Sequence, residues 1–83
     1  PSNPIDAKGL LIAAINDPNP VLYFEHKALY RSISGQVPND YYEIEIGKAN
    51  CLQEGEDISI ITYGAAVHWA LEYAQAHKET SFD

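Results

Sequence analysis

The feature that most constrains this chain is the turn Asn16-Asp17-Pro18-Asn19-Pro20, which separates two apolar segments of different pattern. Before the turn, apolar residues at helical spacing predict an amphipathic helix; they are Ala7, Leu10, Leu11, Ala14 and Ile15. After it, the continuous apolar run Val21–Phe24 predicts a short strand that is buried on both faces. The two prolines end the helix and hold the residue before each of them in an extended conformation. A helix, a tight turn and a buried strand make half of a βαβ unit.

The rest of the chain continues this alternation. Asn3 is a suitable N-cap for the first helix, with Pro4 at its first position. Further extended segments are predicted over 43–46 and, after Gly47-Lys48-Ala49, up to residue 52. Another is predicted over 58–63, and a helix follows over 65–77. The polar stretch 32–41 has little periodicity and is the best candidate for a domain boundary. The predicted fold class is α/β, with mostly parallel strands and flanking helices.

Composition excludes several classes of partner. The net charge is −7, and the five Lys and Arg residues form no basic stripe, which argues against nucleic acid and against an anionic membrane surface. No apolar run is long enough to span a bilayer. Cys51 is the only cysteine, so we expect a reducing compartment and a buried structural thiol. The sequence lacks Met and begins Pro-Ser-Asn-Pro, so we expect it to be a piece of a longer protein.

Two short segments carry candidate chemistry. Asp17 and Asn19 follow the last helical turn, where unpaired carbonyl oxygens could join them in binding a hard cation. The same residues are usual in an ordinary helix-terminating turn, which spacing alone favours. Glu25-His26-Lys27 is either an acid–base cluster or, as the alternation of strand side chains favours, a solvated strand end. His68 and His77 do not have metal-ligand spacing, and Gly47 and Gly64 form no phosphate-binding loop.

A family resemblance adds to this. The first half contains Asp6-Ala7-Lys8-Gly9-Leu10-Leu11, Ala14–Pro20, Phe24-Glu25-His26-Lys27 and Leu29-Tyr30-Arg31. The second half contains Val37-Pro38, Tyr42, Ile46–Ala49, Glu54–Ile58 and Ile61–Gly64 leading into a helix. In one register, these motifs closely resemble the β subunit of thiamine-diphosphate-dependent 2-oxo acid dehydrogenases, the E1 components of the pyruvate and branched-chain complexes.

The resemblance implies two transketolase-like α/β domains, of which this chain would hold parts. Residues 1–31 would be the end of a pyrimidine-binding domain, 32–41 the interdomain linker, and 42–83 the start of a transketolase-type C-terminal domain. The intact enzyme would decarboxylate a 2-oxo acid on thiamine diphosphate with magnesium and transfer the acyl group to lipoyl. No catalytic or cofactor-binding residue maps onto this chain, because the activating glutamate lies upstream and the diphosphate site belongs to the α part.

The family also implies a metal site, partners and a location. A structural potassium ion would be held by the main-chain carbonyls of Ala14 and Ile15, together with Asp17 and Asn19. The partners would be an E1 α subunit or fused α region, a second β subunit, and the lipoyl transacylase E2. The location would be the cytoplasm, or the mitochondrial matrix in a eukaryote.

Two alternatives remain open at this point. One is a related thiamine enzyme of the transketolase or deoxyxylulose-phosphate synthase type. The other is a non-catalytic interaction module that folds from these residues alone. The Glu25–Arg31 and Gly47–Gly64 motifs favour the dehydrogenase.

Overall fold

Three helices joined by irregular segments make up the structure. The computed structural model describes residues 1–83, with helices α1 (Pro4–Asn16), α2 (Leu29–Ser32) and α3 (Ala65–Ala76). The helix predicted before the turn is therefore confirmed as α1, and the one predicted over 65–77 is confirmed as α3, ending one residue earlier. The four-residue α2 was not predicted, and its last residue falls within the predicted linker 32–41.

The start of α1 follows from its first residues. The Asn3 side chain accepts a hydrogen bond from the Asp6 amide at 2.8 Å and donates one to the Asp6 carboxylate at 3.0 Å. Pro4 occupies the first turn, where its missing N–H costs nothing. The helix ends at Asn16, and the extended Asp17 follows as its C-cap, as the prolines beyond it require.

Helix α3 begins at a glycine and buries its apolar stripe. Gly64 has a φ of 62°, a left-handed conformation that a side chain would strain. Val67 and Ala74 are buried and Ala70 and Leu71 are half-buried, so these four residues form the apolar stripe of the helix. Phe82 packs back towards this helix, and its ring meets that of Tyr73 edge-on at 5.8 Å.

No β-sheet forms, so the prediction of mostly parallel strands is not confirmed. A strand needs a neighbour to complete its ladder of hydrogen bonds, and the predicted strand segments have none beyond a single bridge. The one β-bridge is parallel and joins Ile58 to Phe82. Ile58 donates to the Ser81 carbonyl at 3.1 Å, and Asp83 donates to that of Ile58 at 3.0 Å.

The expected burial of Val21–Phe24 is wrong for this chain. Leu22 is 84% exposed and Phe24 is 79% exposed, because no other segment covers either face of the run. Tyr23 is the half-buried member, and its hydroxyl donates to the Ala7 carbonyl at 2.9 Å. The apolar run is therefore attached to α1 by a tyrosine instead of by a sheet.

The chain exposes much more surface than a compact protein of its mass. Its accessible surface is 6706 Å² for 9.2 kDa, whereas the scaling for folded monomers gives about 4,900 Å². Its radius of gyration is 14.4 Å, against about 11.8 Å for a compact chain of this length. The buried apolar residues are few: Ala65, Val67, Ala74 and Phe82.

None of the three helices combines the length and the apolar character that a bilayer crossing requires.

Candidate functional site

The turn after α1 gathers the predicted metal-site residues. The Ala14 carbonyl accepts a long hydrogen bond from the Asp17 amide at 3.4 Å, and no backbone N–H donates to the Ile15 carbonyl. Asp17 Oδ1 accepts from the Asn19 amide at 2.8 Å and from its side-chain nitrogen at 3.1 Å. The carboxylate thus organises the turn itself, as Asp does in ordinary turns.

The chemistry of these groups fits a hard cation. They supply only oxygen donors, and they stand at the helix end where the backbone dipole is negative. The second oxygen of Asp17, Oδ2, takes part in no hydrogen bond within the chain. Asp17 Oδ1, one of these oxygen donors, already accepts two hydrogen bonds from Asn19. No group of three or more His, Cys, Asp or Glu side chains gathers here or elsewhere.

The residues Glu25 and His26 line a cavity of about 160 Å³ next to the start of α1. Glu25 accepts a short hydrogen bond from the Tyr30 hydroxyl, and this bond raises the pKa of Tyr30 above its usual value. His26 Nδ1 accepts the Ala65 amide at 3.3 Å, which satisfies one of the free N–H groups at the start of α3. Lys27 is exposed. The three do not form an acid–base cluster; His26 acts as a helix cap across the chain, which its sequence position did not predict.

A second polar cluster, also missed in the sequence, joins the end of α1 to the predicted linker. The Asn16 side-chain amide donates to the Tyr41 hydroxyl and to Glu43 Oε1, both at 2.5 Å. Tyr41 also donates to Glu43 at 2.8 Å. The hydrogen bonds from Asn16 and then Tyr41 lower the pKa of Glu43, and its carboxylate raises that of Tyr41. The sequence analysis missed this cluster because its members lie 25 or more positions apart along the chain.

The remaining candidate residues are two histidines and the cysteine. His68 Nε2 donates to the Ser2 carbonyl at 2.7 Å and is half-buried. His77 stacks on Tyr73 at 3.9 Å, so neither histidine is placed for metal binding. Cys51 is exposed, so the prediction of a buried thiol is wrong. The reason is that the segment around Cys51 lacks the sheet that was expected to cover it.

Comparison with known proteins confirms the resemblance drawn from the motifs. The chain is 59% identical over 75 residues to 2-oxoisovalerate dehydrogenase subunit beta of Bacillus subtilis. It is 58% identical over 74 residues to the pyruvate dehydrogenase E1 component subunit beta of B. subtilis. It is 56% identical over 75 residues to the protein of that name in Staphylococcus aureus. No protein-family model matches the chain.

These alignments cover most of this chain but a small part of each relative. They include 89–90% of the residues described here and 23% of the relatives' own length. The alternatives drawn from the sequence, a sugar-phosphate thiamine enzyme and an interaction module, gain no support from them.

Proposed function

We propose that this chain is part of the E1 β subunit of a 2-oxo acid dehydrogenase complex. The protein that contains it would oxidatively decarboxylate a 2-oxo acid on thiamine diphosphate and transfer the acyl group to lipoyl. The observation that carries the proposal is the identity of 56–59% with E1 β-type subunits over nine tenths of the chain. Both pyruvate and 2-oxoisovalerate enzymes lie in this range, so the identities do not distinguish between the two acids.

The proposed domain organisation accounts for the open shape. Residues 1–31 would close a pyrimidine-binding domain, 32–41 would connect the domains, and 42–83 would open a transketolase-type domain with a mostly parallel sheet. In that setting, neighbouring strands would cover the exposed Val21–Phe24 run and the groove of about 550 Å³ beside α3. The parallel sense of the Ile58–Phe82 bridge supports this organisation.

The proposed assembly follows from the same assignment. An E1 α subunit or fused α region would supply the thiamine diphosphate and magnesium site, and a second β subunit and the transacylase E2 would complete the complex. The activating glutamate would lie outside this chain, which would be inactive alone. The proposed location is the cytoplasm, or the mitochondrial matrix in a eukaryote.

The test is an activity assay on the full-length subunit combined with its α partner. Thiamine diphosphate, magnesium and a lipoyl acceptor are supplied with pyruvate or 2-oxoisovalerate, and acyl transfer is measured. Turnover of one of these acids by the complex, and none by the chain alone, is the expected result. Activity on sugar phosphates instead of 2-oxo acids would reject the proposal in favour of a transketolase-type enzyme.

We also propose that Ala14, Ile15, Asp17 and Asn19 contribute to a structural potassium site in the intact subunit. The Asp17 carboxylate and the carbonyl end of α1 would both supply negative charge, and the potassium ion would neutralise it. Asp17→Ala in the full-length subunit should abolish the rise in thermal midpoint that potassium gives over a large organic cation. Glu72→Ala, which removes the same charge from an exposed position on α3, should leave that rise intact. An unchanged potassium response in Asp17→Ala would remove this residue from the site.

A further inference from the structure

One side of α1 is covered by residues 38–44, which we name the docked segment. Lys8 Nζ donates to the carbonyl of Pro38 at 2.5 Å and to that of Asp40 at 2.7 Å. The same ammonium group lies 4.9 Å from the centre of the Tyr42 ring, within cation–π range. Lys8 thus holds the backbone and a side chain of the docked segment at once, although it is 30 or more positions away in sequence.

Gly9 provides the surface on which this segment rests. The Ile44 amide donates to the Gly9 carbonyl at 3.1 Å, and the Tyr42 hydroxyl donates to the Ile5 carbonyl at 2.8 Å. Gly9 is buried, and a Cβ placed on it would lie 2.6 Å from Ile44 Cγ1 and 2.8 Å from Tyr42 Cε2. Glycine inside a helix costs stability relative to alanine, so its presence here is explained by this close approach.

The C-terminal end of α1 also contacts the docked segment, through Tyr41 and Glu43. Asn16 donates to Tyr41 and Glu43, the residues that alternate with Tyr42 and Ile44 along the extended segment. The two pairs engage different parts of α1, because Tyr41 and Glu43 contact Asn16 whereas Tyr42 and Ile44 bind carbonyls of the first two turns. Lys8, Gly9 and Asn16 therefore contact almost the whole segment.

We propose that Lys8, Gly9 and Asn16 are positioning residues that fix the second half of the protein to α1. The end of the predicted linker is then a docked element and not a hinge, and α1 sets the position of the docked segment. The docking rests on contacts within this chain; only the description of the two halves as domains rests on the proposed function. An activity assay and a measurement of docking can therefore fail independently.

The test is hydrogen–deuterium exchange on the full-length protein that carries this chain. Peptides spanning 36–46 report the docked segment, and peptides spanning α3 report the general stability of the fold. Lys8→Met keeps an unbranched apolar stem but removes the charge and the donors. It should speed exchange over 36–46 by about fivefold, the factor that corresponds to about 1 kcal/mol, and leave α3 unchanged.

Matched variants separate docking from general packing. Lys8→Arg keeps the charge and the donors and should restore slow exchange towards the original rate. Gly9→Ala should speed exchange over the same peptides, and Gly9→Ala with Ile44→Ala, which frees the space for the added methyl, should partly reverse it. Unchanged exchange over 36–46 in Lys8→Met, or an equal rise in 36–46 and in α3, would overturn the proposal.

Discussion

Raising the concentration of the 83-residue chain on its own should drive it into assemblies. The chain exposes 6706 Å², which is about 1,800 Å² more than a compact monomer of its mass. A standard protein interface takes about 800 Å² from each partner, so the excess is about twice what a stable contact needs. Much of the exposed area is aliphatic and aromatic, as at Ile61, which is 93% exposed, and such surface favours association.

Trp69 makes this association measurable. It is the only tryptophan and is 64% exposed on α3, so its fluorescence reports what happens to that face. We expect sedimentation velocity to show a mass that grows with concentration and Trp69 emission to shift to the blue. Ile61→Asp should weaken the association, whereas Ile61→Leu should preserve it. A compact monomer at every concentration, with cooperative unfolding and solvent-exposed Trp69, would refute this reasoning and support a self-sufficient interaction module.

Three further predictions concern single side chains that contact α1. Asn3→Ala removes the N-cap acceptor of the Asp6 amide and should destabilise the full-length protein that carries this chain by about 1 kcal/mol in urea unfolding followed by circular dichroism. Asn3→Ser should recover most of that loss, and an equal loss in both variants would contradict a capping role. Burial raises the pKa of Tyr23 above 10.0, so its contribution to stability is complete below that pH and is lost as pH rises through the folded-state pKa. Tyr23→Phe should therefore flatten the alkaline side of the plot of thermal midpoint against pH, and an unchanged slope would count against it. The lowered pKa of Glu43 gives stability that is present above its ordinary value of 4.5 and is lost as pH falls through the folded-state pKa. Asn16→Ala should reduce this acid-side loss in the same measurement, and an acid-side slope equal to that of the parent would exclude the hydrogen bond as its cause.

Local chemistry predicted the two long helices well. Asn3 and Pro4 specify where α1 begins, and the prolines after Asp17 specify where it ends, through interactions within a few residues. The apolar stripe of α3 likewise needed no information beyond its own spacing. These signals are visible in sequence because both partners lie within one or two helical turns.

Longer-range features escaped prediction for one physical reason, which is that their partners are distant in sequence. The Val21–Phe24 pattern indicates a strand, but the pattern cannot supply the neighbouring strand that would pair with it. Lys8 is not part of the apolar stripe predicted for α1, yet the docked segment lies against it. His26 caps a helix that begins 39 positions later, a pairing that no local pattern encodes. The proposed metal turn stays a prediction, because its oxygen donors also satisfy the rules for an ordinary turn.

The bridge between Ile58 and Phe82 also bears on the order in which this protein folds. It closes a short loop, since the neighbouring pair Asp57 and Ser81 are 24 positions apart, and the 12-residue helix α3 occupies half of that span. Closing a short loop of which half is helical costs little chain entropy, so such contacts form early. Residues 57–83 are thus expected to nucleate as a unit, with α3 shortening the flexible chain that the bridge has to close.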